Sequence, residues 1–198
     1  RNGIEMAIDE ANAEGGVKGK KLKVIVYDDQ SKPEEAAAAA TRLITQDKIK
    51  VLLGEVASSN SLAMAPKAQE AHVPMISPSS TNPKVTEVGD YIFRVCFIDP
   101  FQGKLLSDFV SKTLKVRQAA ILSDVSSPYS VGLAKFFKAA FTEGGGKIPI
   151  EQRYNSKDKD FKALRAAYAD NYTHTHGSGK LDNKDARIVA AMAGEPLI

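Results

Sequence analysis

Apolar positions recur along this chain with two periods that alternate. Ile4, Ala7, Ile8 and Ala11 fall on one face at helical spacing, which predicts a helix over 2–14 stopped by Gly15 and Gly16. Residues 22–27 alternate lysine with apolar side chains and then become continuous, a strand pattern. Pro33 opens a second helix, with Glu34 and Glu35 in the first turn where the positive dipole end favours them; residues 36–40, Leu43 and Ile44 form its apolar face. The same alternation continues to the end of the chain. Strands are predicted at 51–53, 73–76, 91–95, 119–122 and 147–152. Helices are predicted from the loop after Leu53 to about Ala71, and over 101–113, 129–143 and 159–169. Residues 171–185 carry Asn, Thr, His, Gly and Ser without apolar periodicity and read as a flexible linker; 187–192 then reads as a short buried strand. Strands alternating with helices at this pitch imply βαβ units, an α/β fold and a mostly parallel sheet.

Two polar segments interrupt the pattern. The first runs Gly54-Glu55-Val56-Ala57-Ser58-Ser59-Asn60-Ser61, and the second Ser77-Pro78-Ser79-Ser80-Thr81-Asn82-Pro83. Each follows a buried strand, and the first opens a helix. Ligands of open α/β sheets bind outside the carboxyl ends of the strands, and hydroxyls beside backbone N–H groups at a helix start suit an anion. The same residue types are also ordinary helix caps and turn formers, so spacing alone leaves both readings open.

Composition narrows the function classes. With 27 basic and 24 acidic residues in 198, the net charge is +3, and the lysines are scattered rather than clustered. That excludes the concentrated positive surface by which nucleic acid is held. Hydrophobic residues make up 43% of the chain, ordinary for a globular protein, and no apolar run reaches the length of a bilayer-spanning helix. The single cysteine, Cys96, lies in a strand-like run and reads as a small packing residue rather than a nucleophile. His174 and His176 have no Cys, Asp or Glu at a metal-ligand spacing, and His72 reads as a boundary residue. Asp28-Asp29 follows a predicted strand and reads as a strand-end turn, with metal binding as the alternative. No phosphate-binding glycine loop or nucleophile elbow is present, so no cofactor and no catalysis are expected.

Longer stretches carry a family likeness: NGIEMAIDEANAEGGVKGKKLKVIVYDDQSKPEEAAAAATRLI, LLGEVASSNSLAMAPKAQEAHVPMISPSSTNP, YIFRVCFIDPFQG, YSVGLAKFF and KDKDFKAL. In this order they resemble the periplasmic leucine/isoleucine/valine-binding family of ABC importers, from residue 1 to about 165. The resemblance implies a type I, flavodoxin-like doubly wound parallel sheet. It also implies two lobes closing on a small amino acid, membrane subunits of an importer as partners, and a periplasmic or extracytoplasmic location, with no signal peptide expected within these residues. It implies that Ser58, with Ser59 beside it, meets the ligand carboxylate from a helix start. Ser79, Ser80 and Thr81 would offer backbone and hydroxyl groups to the carboxylate and ammonium, and Tyr129 would cover the ligand from the second lobe. Ser61, deeper in the helix, is expected to matter less.

The likeness has gaps. The family's first strand and its small-residue loop are missing from the start, whereas ARIVAAMAGEPLI, over 186–198, looks like that piece displaced to the other end. A rearranged chain is therefore expected, with 1–98 plus 186–198 as the first lobe and 99–170 as a shortened second lobe. Residues 187–192 would then lie between 22–27 and 51–53. No acidic residue matching the family's ammonium partner appears over 170–185, which leaves the ligand's ammonium weakly held, or the missing wall supplied by a second copy in a homodimer. The alternative function is an engineered or truncated scaffold of the same fold with its ligand site lost.

Overall fold

The computed structural model describes residues 1–160. In chain order these form α1 (Asn2–Ala13), α2 (Pro33–Thr45), β1 (Leu52–Leu53), α3 (Ser58–Glu70), β2 (Met75–Ser77), α4 (Lys84–Glu87), β3 (Ile92–Arg94), α5 (Asp99–Asp108), β4 (Gln118–Asp124), α6 (Pro128–Glu143) and β5 (Lys147–Tyr154). A π-helical segment, Phe109–Thr113, continues α5.

The helices follow from local chemistry. Pro33 starts α2 with its φ already set, and Ala36, Ala40 and Leu43 recur on the buried side. In α3 the buried residues change character along the axis, from Ser58, Asn60 and Ser61 to Met64, Ala65 and Ala68. One end of that helix therefore faces a polar site and the other an apolar core. Ser127 caps α6 by accepting the Ser130 N–H, and the helix ends at Gly144, with Gly145 at a φ of 82° that favours glycine. Gly103 is required for packing: a Cβ there would stand 2.7 Å from the Phe137 backbone nitrogen, so its absence lets α5 and α6 approach closely.

All paired strands run parallel. One sheet has the order β1-β2-β3, with Leu52 opposite Met75 and Met75 opposite Ile92. The other pairs β4 with β5, with an irregularity between Gln118 and Ala120. Two apolar cores result. The first unites Ala36, Ala40 and Leu43 with Met64, Ala65, Ala68 and the strand residues Leu52, Met75 and Ile92. The second gathers Val110, Ala119, Ile121, Ala134, Phe137 and Phe141, with the last two rings stacked 5.3 Å apart. Burying one such side chain as large as Phe141 or Met75 contributes about 1.5–3 kcal/mol.

One predicted strand is absent. Residues 22–27 join no ladder among the described residues. Their side chains nevertheless alternate: Ile25 and Tyr27 pack against the first core, while Val24 and Val26 are exposed. A period-two pattern specifies which side chains face inward, but a ladder also needs a neighbouring backbone. The neighbour expected from the sequence, 187–192, lies outside the described residues. So do all but the first two residues of the helix expected at 159–169, the linker 171–185, and the segment 186–198 assigned to the first lobe. The short helix α4 is an addition, since its four residues are too few to show a period.

Candidate ligand-binding site

The two polar segments meet at the carboxyl ends of β1 and β2, and serine hydroxyls join them. The Glu55 carbonyl is the common acceptor, with Ser77 Oγ at 2.7 Å, Ser61 Oγ at 3.0 Å and Ser80 Oγ at 3.1 Å. Ser80 Oγ is also 3.1 Å from the Val56 carbonyl and 2.7 Å from Ser61 Oγ. Each hydroxyl has one proton, so these five contacts are shared among three donors. Ser61 Oγ also accepts the Glu55 N–H, and the Glu55 carboxylate accepts the Ala57 N–H. Ser61 is thus the pin of this loop.

Ser58 is the first residue of α3 and is 2% exposed. Its Oγ accepts the Asn82 N–H at 3.3 Å, which ties the start of the helix to the second loop. The N-cap residue, Ala57, has no side chain able to cap, and its N–H is held by the Glu55 carboxylate, so the positive end of this helix lies beside the two polar loops. Ser59 follows on the same turn, half-buried.

Arg94 shapes the second loop. Its guanidinium donates to the carbonyls of Ser80 (2.6 Å), Asn82 (2.9 Å) and Pro83 (3.0 Å) and to Thr86 Oγ1 (2.7 Å). Burial lowers the Arg94 pKa, opposed by the nearby Cys96 thiol and the Asp99 and Glu87 carboxyls. The Ser80 side chain and carbonyl are both committed to the loop. Ser79, half-buried, and Thr81, buried, carry the remaining side chains at its turn.

Tyr129 arrives from the start of α6. Its hydroxyl accepts from Gln102 Nε2 at 3.4 Å, and one residue earlier the Pro128 carbonyl accepts from Asn82 Nδ2 at 3.0 Å. The Asn82 bond links the loop of the first core to the helix of the second. Thus Ser58, Ser80 and Thr81 are drawn together through Asn82 and Arg94, with Tyr129 across the junction. Arg94, Asp99, Asn82 and the Glu55 carbonyl are absent from the sequence-based set. A charged residue inside the apolar run 91–95 is the signal that marks Arg94.

Other candidates resolve as local structure. Asp28 Oδ1 accepts the Gln30 N–H and Asp29 Oδ1 the Ser31 N–H, while Asp29 Oδ2 accepts from Asn60 Nδ2. The pair is a turn that also braces α3. Burial pushes the Cys96 thiol up, away from the reactive thiolate, and its Sγ lies 3.5 Å from the Ser80 carbonyl. His72 stands edge-on to Tyr91, with ring centroids 5.0 Å apart. No group of three or more His, Cys, Asp or Glu suited to a metal occurs among the described residues. His174 and His176 lie outside them.

Known proteins share this arrangement of elements. A family model described as periplasmic binding protein matches residues 1–171. An amino acid binding protein of Pseudomonas aeruginosa is 36% identical over 163 residues, which is 82% of this chain and 43% of that protein. The leucine-specific-binding protein of Salmonella typhimurium is 34% identical over 166 residues, 83% of this chain and 44% of that one. The crystal structure of the leucine-binding protein LivK from Thermotoga maritima superposes with a TM-score of 0.77 at 40% identity, covering 85% of this chain and 48% of that one. A solute-binding protein from Rhodopseudomonas palustris, solved with 3,4-dihydroxybenzoic acid, gives 0.71 at 30% identity, covering 83% and 45%. The chain spans less than half the length of these relatives, and their fold is the type I α/β one. With its parallel sheets and this match across most of its length, the chain belongs to the periplasmic binding protein family.

Proposed function

We propose that the chain binds a small aliphatic amino acid without chemical conversion, as the solute-capturing component of an ABC importer working outside the cytoplasm. The observation that carries this reading is the start of α3, where Ser58 is buried without a side-chain cap on the helix and is tied to the loop bearing Ser79 and Thr81. N–H groups and a helix dipole favour a carboxylate there. Ser58 and Ser59 would meet the carboxylate. Ser79 and Thr81 would add hydroxyl and backbone contacts, the second also to the ammonium, while Ser80 holds the turn. Tyr129 would cover the ligand from the second core, and closure between the two cores would trap it.

The relatives named above support an amino acid, and the aromatic acid of the Rhodopseudomonas palustris protein shares only the carboxylate with it. Calorimetric titration with leucine, isoleucine, valine, neutral polar amino acids and 3,4-dihydroxybenzoate separates these classes. Saturable heat with an aliphatic amino acid is expected, weakened about 1–3 kcal/mol by Ser58→Ala, the scale of a hydrogen bond to a charged group. Heat from the aromatic acid alone would overturn the ligand class. Silence across the panel would favour a scaffold that has lost its site, and heat that grows with protein concentration would point to a second copy completing the wall.

A further inference from the structure

Among the described residues, four buried side-chain atoms complete no hydrogen bond: Thr81 Oγ1, both carboxylate oxygens of Asp99, and Gln102 Oε1. They converge where the loop 77–83, the start of α5 and the start of α6 meet. The Asp99 N–H donates to the Thr81 carbonyl at 2.9 Å. A Cβ on Gly132 of α6 would stand 3.0 Å from Asp99 Oδ2 and 3.2 Å from Asn82 Nδ2, so glycine leaves room for the carboxylate against that helix.

Asp99 has no exposed surface. A buried carboxylate costs stability unless donors reach it. The neighbouring donors are committed elsewhere: Arg94 to three carbonyls and Thr86, and Asn82 Nδ2 to the Pro128 carbonyl. Of the four unsatisfied atoms, three only accept, and Thr81 Oγ1 holds the one proton. Burial pushes the Asp99 carboxyl up, and the Thr81 hydroxyl and then Arg94 pull it back toward the charged form. The hydroxyl therefore lies near enough to act on the carboxylate, although the two are not aligned as a completed bond.

We propose that Asp99 is a positioning residue of the ligand site: its buried negative charge draws the Thr81 hydroxyl proton inward, so that Thr81 meets the ligand as an acceptor and selects an ammonium-bearing acid over a plain carboxylate. This rests on the function proposed above. It assigns the ammonium end a source of negative charge within residues 1–160, in addition to any from the rest of the protein. The cost of burying Asp99 is then a cost borne for recognition rather than for folding.

The test uses the full 198-residue chain. Asp99→Asn keeps the shape and removes the charge. Leucine affinity should fall at least about tenfold, the scale of one charge-assisted hydrogen bond. The affinity for 4-methylpentanoate, which is leucine without its amine, should hold or rise, and the thermal midpoint of the ligand-free variant should rise. Equal losses for both ligands with a lowered midpoint would make Asp99 a structural residue and overturn the proposal. A second arm needs no ligand: a ¹³C NMR titration of the Asp99 carboxyl in wild type, Thr81→Val and Thr81→Ser. The valine variant should titrate at higher pH and the serine variant like wild type; an unchanged titration in Thr81→Val overturns the contact. Absence of leucine heat from wild type would count against the function reading, while this titration still decides the Asp99–Thr81 coupling.

Discussion

Replacing Arg94 with methionine removes a cation from four acceptors while keeping a side chain of similar length. The guanidinium contacts at 2.6, 2.9 and 3.0 Å fasten the loop at residues 80, 82 and 83 to β3, and the one at 2.7 Å adds Thr86 of α4. A hydrogen bond from a charged donor is worth about 1.5–3 kcal/mol when its acceptor is left unmatched. The four cannot simply be added, because Arg94 is only partly buried, the freed carbonyls regain some water, and methionine avoids the cost of desolvating a cation. About 3 kcal/mol of lost stability is the expected net, read from urea unfolding followed by circular dichroism. Arg94→Lys supplies the control. A single ammonium cannot span three carbonyls and a hydroxyl, so lysine should recover less than half of the loss despite its equal charge. A loss below about 1 kcal/mol for methionine, or full recovery by lysine, would refute the claim that fork geometry holds this loop.

Other perturbations probe separate links. Ser61→Ala removes the pin between the Glu55 backbone and Ser80; a loss of about 1–2 kcal/mol in urea unfolding is expected, with a weakening of leucine binding comparable to that from Ser58→Ala. Gly103→Ala drives a Cβ to 2.7 Å from the Phe137 nitrogen, which should cost about 1–3 kcal/mol through overpacking and lower the thermal midpoint. The pH dependence has an unusual sign at one residue. The Asp99 pKa is raised in the folded state, so between the ordinary aspartate range and that raised value the folded chain holds the proton that the unfolded chain releases. Its contribution to stability therefore falls as pH rises through that window, opposite to a salt-bridged carboxylate, and comparing the acid limbs of wild type and Asp99→Asn by thermal melts isolates it.

What the sequence displays depends on how local each cause is. The helix at Pro33 is legible because its start signal, its acidic first turn and its Ala/Leu face lie within a dozen residues. The parallel strands at Met75 and Ile92 are legible because each is a short apolar run bounded by turns, although Phe93 in the second is exposed. The segment 22–27 shows the limit: its inward residues, Ile25 and Tyr27, are as the pattern requires, but no ladder forms on them among the described residues. At the site, the serine-rich loops mark the place, yet the division of labour within them is invisible. Ser80 and Ser58 are one residue type in similar contexts, and only the fold makes one a brace to Glu55 and the other a bridge to Asn82. Arg94 and Asp99 act across 8 to 18 residues of chain, at a separation no local pattern encodes.

The Arg94 fork has a consequence for how such a protein acquires new ligands. Three of its four contacts are to carbonyl oxygens, which every amino acid possesses, and they fall at positions 80, 82 and 83. Positions 79 and 81 contribute nothing to that grip. The loop is thus divided into a frame that Arg94 fixes through the main chain and two side chains that this frame does not use. On the proposed function, a substitution at either changes the contacts offered to the ligand without asking the turn to find a new shape. A preference can then drift from one acid to another by single steps, each passing through a folded intermediate.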